Sequence, residues 1–425
     1  MLSGTGGQPP GVLSGTGGQP PGGPTGTGPG ISTASTVTAV PAISRVEVLR
    51  IRLPLARPWV SPVATMVERD ALLVAVTVDG VVGWGECGAQ PEPTYSPEYV
   101  DGAIDVLGRH LIPRTLAVGA GDGESVDRAL GPVKGHPMAK AALTGAALDA
   151  RLRARQVSLV DHLMSMTTAA DARNWVVPES VPSGVAVGVT GGLDALIEEV
   201  GARVAEGYRR VKIKIHPGWD VTAVAALRTA FGAALALQVD ANGSYAALGV
   251  DEAARRLEPL DDHGLQLIEQ PLGDDDLVGH ASLARRLRTP MCLDESIASV
   301  DNAATALAMG ACGVVNVKVG RVGGLVQAVA VHDLCAAAGV PVWCGGLLET
   351  GVGRAGNLAL AALPNFSLPG DLSASARFWD HDVVTEPARL EPDGTIAVPR
   401  GAGIGVEVSP DVDRWLVWRG CWPAS

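Results

Sequence analysis

The sequence predicts an α/β fold: a parallel barrel of alternating strands and helices, preceded by a separate α+β unit. Three observations predict it. After about residue 182, short β-rich runs (GVAVGV, VKIKI, LALQVD, LQLIE, MCLD, VVNVK and VPVW) alternate with helix-like segments. The runs are almost continuously apolar, as strands covered on both faces must be. Five of them end at or beside a charged residue, namely Lys214, Asp240, Glu269, Asp294 and Lys318, spaced 26, 29, 25 and 24 residues apart by number. That interval holds one strand, one helix and two short loops.

The elements follow in order. Residues 1–44 are rich in Gly, Pro, Ser and Thr, with LSGTGGQPPG at Leu2 repeated from Leu13 and no Lys, Arg, Asp or Glu before Arg45. Such a segment cannot bury enough apolar area to offset its ordering entropy, so a disordered extension is expected. It lacks the basic start and apolar core of a signal peptide. Residues 45–165 form the α+β unit. VEVLRIRLPL and ALLVAVTVDGVVGWGE read as strands, the latter folded at an Asp79-Gly80 turn, and Met138 to Arg155 reads as a helix. Met166 to Ser180 is a linker. The barrel spans 181–369, with helices at Asp251–Leu260, Leu277–Leu287 and Gly323–Ala338. Seven β/α units are visible, and a weaker eighth strand is expected near Asn365 to Leu368. Beyond Pro369 the period is lost, and residues 370–425 are expected to pack back on the α+β unit.

Composition narrows the function. A length of 425 residues allows two to three domains, and 47% hydrophobic content is ample for a large core. A formal charge of −12 argues against nucleic acid or an anionic membrane as the main partner. No run of 18 apolar residues exists, so no transmembrane helix is expected. Six cysteines are scattered without a CxxC pair. Cys292, Cys312 and Cys335 fall in strands or helices and read as buried thiols of a reducing, cytoplasmic compartment.

The charged strand ends point to a site. A lone buried charge is costly unless it is paired or metal-bound. In a parallel barrel the carboxyl ends of the strands converge on one face, where barrel enzymes place their chemistry. Asp240, Glu269 and Asp294 supply three carboxylates from consecutive strands. Hard cations such as Mg²⁺, or Mn²⁺ in its place, take oxygen ligands and leave positions open. Unrelated solvated acids are the plain alternative, disfavoured by the shared register. Lys212 and Lys214 alternate with Val211, Ile213 and Ile215, so both face the barrel interior. Lys318 lies four strands further round and should approach from the opposite side. Two lysines facing each other across a metal-bound carboxylate can move a proton at the adjacent carbon. Arg321 is either a solvated loop charge or a cation that tunes Lys318. Gly351-x-Gly353-x-x-Gly356 is weak as a dinucleotide fingerprint in the seventh barrel unit. It reads better as a loop whose amides hold an anionic part of a substrate.

Taken together, GWGEC (83–87), GHPMAKAAL (135–143), KIKIHPGWD (212–220), QVDANGSY (238–245), IEQPL (268–272), CLDES (292–296), VNVKVGRVGG (315–324), PVWCGGLLETGVGRA (341–355) and LPNFSLPGDLSAS (363–375) carry a resemblance. The chain resembles the enolase superfamily, in its muconate-lactonizing subgroup, and within it the o-succinylbenzoate synthase / N-acylamino acid racemase family, over about residues 45–408. The resemblance implies a (β/α)7β modified TIM barrel with an α+β capping domain. It implies Asp240, Glu269 and Asp294 as Mg²⁺ ligands, Lys214 as general base, Lys318 as the opposite lysine and Lys212 as a supporting cation. Gly346, Leu347 and Leu348 match a substrate-lining loop, and about Trp59 to Met66 would be a lid. Trp59 and Gln90 would meet substrate, although the family commonly has a smaller aromatic at the first and an apolar residue at the second. The implied activity is dehydration of a succinyl-bearing cyclohexadiene carboxylate toward menaquinone. N-acylamino acid racemisation is the alternative, and dipeptide epimerisation a third. The implied partner is a small-molecule carboxylate, and a homo-oligomer is expected.

Overall fold

Two large sheets and a two-stranded one organise the structure, and the alternation of side chains along each strand decides what they cover. A computed structural model describes residues 42–60, 65–118 and 121–423. The extension expected at 1–44 lies outside the described residues up to position 41. Before the barrel come β1 (Ile43–Val60), β2 (Thr65–Val78) and β3 (Val81–Cys87). They are followed by α1 (Val100–Val106), α2 (Ile112–Val118), α3 (Gly123–Leu130), α4 (Pro137–Arg155) and α5 (Leu159–Met166).

The barrel strands are short. After β4 (Ser180–Pro182) come β5 (Gly184–Val187), β6 (Arg210–Lys214), β7 (Ala236–Asp240), β8 (Ile268–Glu269), β9 (Met291–Leu293), β10 (Val314–Val317) and β11 (Val342–Cys344). Between and after them lie α6 (Leu193–Ala205), α7 (Val221–Phe231), α8 (Val250–Leu257), α9 (Leu277–Arg286), α10 (Val300–Ala308), α11 (Val319–Val322), α12 (Leu325–Ala337) and α13 (Gly351–Leu360). The chain ends with β12 (Thr395–Ala397) and β13 (Leu416–Pro423).

The first sheet is antiparallel in the order β13-β1-β2-β3. Its period of two is visible in the core. Leu72, Val74 and Val76 join Ala142, Ala146 and Ala150 of α4 in one cluster, while Ala71 and Leu73 join barrel residues such as Val315 in another. The Asp79-Gly80 turn joins β2 to β3 with φ of 48° and 82°, both left-handed, as a tight primed turn requires. β3 lies against the α4 backbone. A Cβ on Gly85 would stand 2.1 Å from the Ala142 carbonyl oxygen, so only glycine permits this approach.

The second sheet is the parallel one, in the order β11-β10-β9-β8-β7-β6-β5. Every neighbour in it is also a neighbour in sequence, as right-handed β/α crossovers produce. The weak eighth strand is reduced to single parallel bridges, Val342 to Phe366 and Ser183 to Gly370, which link the two edges of the sheet and complete the barrel. Predicted helix ends shift for local reasons. The Asp251 helix stops at Leu257 and continues as a 3₁₀ turn, because Pro259 lacks an amide donor. The Gly323 helix starts at Leu325, since Gly323 and Gly324 have φ of 102° and 121°.

Candidate active site

Parallel register brings the charged strand ends to one level. Lys214 stands beside Asp240, and Asp240 beside Glu269, as Cα partners across β6, β7 and β8. Asp294 follows β9, and Lys318 follows β10 as the residue just before α11. Asp240, Glu269 and Asp294 are all at most 2% exposed. Unpaired, three such carboxylates would be prohibitive, and each has a cation. Lys214 Nζ donates to Asp240 Oδ2 at 2.8 Å, Lys212 Nζ to Glu269 Oε2 at 2.7 Å, and Lys318 Nζ to Asp294 Oδ2 at 2.8 Å. Lys212 also lies 3.4 Å from Asp240 and 2.8 Å from Asp371. Below it, the buried Trp343 ring centre is 4.5 Å from its nitrogen.

The charges tune one another. Burial and the neighbouring Asp240 carboxylate push Glu269 up to about 8 against the pull of Lys212. For Asp294, burial is outweighed by Arg321, Lys318 and Lys212, which hold the carboxyl well below the usual range. Burial works against the Lys318 ammonium, but Asp294 more than compensates and raises it. Lys212 is likewise raised, since Asp371, Glu269 and Asp240 together outweigh its burial.

Of the two readings of Arg321, the solvated loop charge is wrong. Its side chain is buried, paired with Asp294, and donates to the Ile297 and Asn316 carbonyls. The glycine-rich loop also differs from expectation. Gly351, Gly353 and Gly356 lie inside α13, and the amides at its start are already taken. Glu86 of β3 accepts from Thr350 and Gly353, and Asp382 accepts from Gly351. The helix terminus thus binds anions of the protein itself.

Lys214, Asp240 and Lys318 border a cavity of about 800 Å³ that Gly346, Leu347, Leu348 and Gln90 also line. Trp59 pairs with Met66 across β1 and β2, and Met66 lines the cavity. The Trp59 side chain and residues 61–64 of the expected lid lie outside the described residues. Gln90 Oε1 is a buried acceptor without a protein partner. Four polar residues join the site that strand spacing alone did not single out. Asn242 accepts from Lys214 at 2.5 Å, Asn316 donates to Glu269 at 2.8 Å, and Tyr95 accepts from Lys318 at 2.6 Å. Asp371, in the segment after the barrel, is paired with Arg210 and Lys212. Asn316 had a legible signal, since it sits two residues before Lys318 in β10 and shares its face. Tyr95 lies in an irregular loop and had none.

Among the described residues, no group of three or more His, Cys, Asp or Glu side chains stands ready to hold a metal ion. Lysine and arginine cations occupy the carboxylates instead. The donor set still fits a hard divalent cation. It is three buried carboxylates from adjacent strand ends, neutralised by groups on long stems that can withdraw.

A parallel barrel with buried carboxylates and two lysines bordering one cavity at its mouth, packed against an antiparallel sheet and helices, defines a class of enzyme that handles acidic carbon–hydrogen bonds. The comparisons with known proteins give the family. Residues 195–412 match the enolase C-terminal domain-like family, and residues 43–164 match the mandelate racemase / muconate lactonizing enzyme N-terminal domain. An N-succinylamino acid racemase of Amycolatopsis is 48% identical over 382 residues, covering 89% of this chain and 99% of the relative. An o-succinylbenzoate synthase of Bacillus subtilis is 40% identical over 378 residues, covering 89% and 97%. A solved enolase-superfamily member from Listeria innocua superposes with a TM-score of 0.83 at 34% identity, covering 91% of this chain and all of the other, 100%. The chain belongs to the enolase superfamily, in its mandelate racemase / muconate lactonizing enzyme family. It is therefore an enzyme of a family that generally uses a divalent metal ion.

Proposed function

We propose that the protein is an o-succinylbenzoate synthase, dehydrating 2-succinyl-6-hydroxy-2,4-cyclohexadiene-1-carboxylate on the route to menaquinone. The observation that carries this reading is the pair Lys214 and Lys318, each bonded to its own buried carboxylate and both bordering one cavity. Relatives named o-succinylbenzoate synthase, at 40%, 41% and 38% identity, support it.

Asp240, Glu269 and Asp294 would hold the metal, taken here as Mg²⁺. When bound, such an ion withdraws charge from a substrate carboxylate and acidifies the carbon beside it. In the dehydration, Lys214 as free amine takes the proton from that carbon. The carbon–oxygen bond then breaks, the new double bond completes the aromatic ring, and the Lys214 ammonium returns its proton to the departing hydroxide as water. Lys318 stays protonated as a fixed positive charge on the far side, and Lys212 does the same beneath Glu269. Gln90 Oε1 would accept from a donor on the substrate.

Racemisation of N-succinylamino acids is the second reading, favoured by the Amycolatopsis relative and by the presence of two lysines on one cavity. There Lys214 and Lys318 exchange roles, one removing the α-proton while the other delivers one to the opposite face. Buried, unpaired thiols at Cys87, Cys292, Cys312, Cys335 and Cys344 support a cytoplasmic site of action. Among the described residues no helix is long and apolar enough to cross a membrane.

The test is to assay both reactions on one preparation, with and without a chelator. Dehydration lost on chelation and restored by Mg²⁺ is the expected result. Undiminished activity of the chelated enzyme would refute the metal assignment, and racemisation without dehydration would promote the second reading.

A further inference from the structure

The two lysines are held from different layers of the molecule. Lys214 is bonded to Asp240 and Asn242, both from β7 and the loop after it. Lys318 is bonded to Asp294 of the barrel and to Tyr95, in the loop between β3 and α1. The Tyr95 hydroxyl accepts from Lys318 Nζ at 2.6 Å, and its ring centre is 5.0 Å from the same nitrogen. An ammonium has three donors. Asp294 and Tyr95 take two, and the lysine borders the cavity.

We infer that Tyr95 is a positioning residue for Lys318, so that the capping loop orders one lysine of the pair and leaves the other to the barrel. The stem of lysine is flexible, and a carboxylate alone fixes its charge without fixing its direction. A second acceptor, placed by another layer, aims the remaining donor. Misplacement of a reacting group by about 1 Å can cost on the order of 100-fold in rate. Removing the hydroxyl should therefore weaken proton transfer on one face of the substrate. This rests on the proposed two-lysine chemistry, and the experiment separates the two.

The full chain with Mg²⁺ is placed in D₂O with each enantiomer of an N-succinylamino acid, and loss of the α-proton is followed by NMR. Lys214→Arg and Lys318→Arg identify which enantiomer each lysine serves. In Tyr95→Phe, exchange of the Lys318 enantiomer should fall about 10- to 100-fold. Exchange of the other should stay within about twofold, because nothing that holds Lys214 has changed. Equal loss for both enantiomers, or no loss for either, overturns the inference.

A second readout needs no turnover. The chain has only five lysines: Lys134, Lys140, Lys212, Lys214 and Lys318. Isotope-labelled lysine therefore gives few side-chain signals, and Lys318→Arg identifies one of them. Tyr95→Phe should move the Lys318 signal and leave that of Lys214 in place. An unmoved Lys318 signal overturns the inference even if neither enantiomer exchanges, an outcome that would by itself sink only the racemase chemistry.

Discussion

Charge balance at single residues governs how this site can work. Lys212 is 3% exposed and lies within 3.4 Å of three carboxylates, so its charge is locked and it is a poor proton carrier. Lys214 and Lys318 border the same cavity with one carboxylate partner each, which leaves them to carry protons. Arginine keeps its proton in a protein. Lys318→Arg is expected to lower racemisation by about 100-fold or more while sparing part of the dehydration. Lys214→Arg should lower dehydration by a similar factor, measured as turnover of the cyclohexadiene. Racemisation at the parent rate in either variant would refute the pairing. These residues were legible because strand period and barrel geometry force them to one mouth. Asn316 obeys the same rule but carries no charge to mark it. Tyr95 obeys no period, and only the folded loop brings it to Lys318.

At the scale of elements, close contact and buried charge do the joining. Gly85 lets β3 rest on the α4 backbone, so Gly85→Ala should destabilise by about 3 kcal/mol or more, read as a fall in the denaturation midpoint. An unchanged midpoint would mean that α4 can step aside. Glu86 of β3 caps the start of α13. Burial pushes it up to about 7 from 4.5, against the bonds from Thr350. A carboxyl raised in the folded state binds its proton more tightly there than in the unfolded chain. Its contribution is therefore complete below pH 4.5 and is lost as pH rises through about 7, a change of roughly 3 kcal/mol. Melting temperatures measured from pH 5 to 8 should fall less steeply for Glu86→Gln than for the parent. Parallel curves would show that Glu86 does not titrate in that window. This contact was hidden in the sequence, where the glycines of α13 suggested a cradle for a foreign anion. Spacing cannot reveal that a carboxylate 264 residues away already fills it. The eighth strand was faint for another reason, since two single bridges need no apolar run.

For the whole molecule, the alternating pattern from β5 to β11 was legible because each unit repeats one local rule. The first sheet was less so, because its outer strand comes from the far end of the chain. The Gly/Pro-rich start has no charge and little apolar area to bury. A protein beginning at Ala42 is expected to match the full chain in turnover and melting temperature, and a clear drop in either would show that the start packs somewhere. The pairing of β1 with β13, Arg45 opposite Pro423, carries a consequence for synthesis. At about 5 to 20 residues per second, 378 residues separate the two partners by roughly 20 to 75 s. Through that time β1 leaves the ribosome with one hydrogen-bonding edge bare, in a strand whose Val46, Val48 and Ile51 are apolar. The eight residues of β13 act as a latch, and a chain cut short before them leaves β1 with an open, sticky edge.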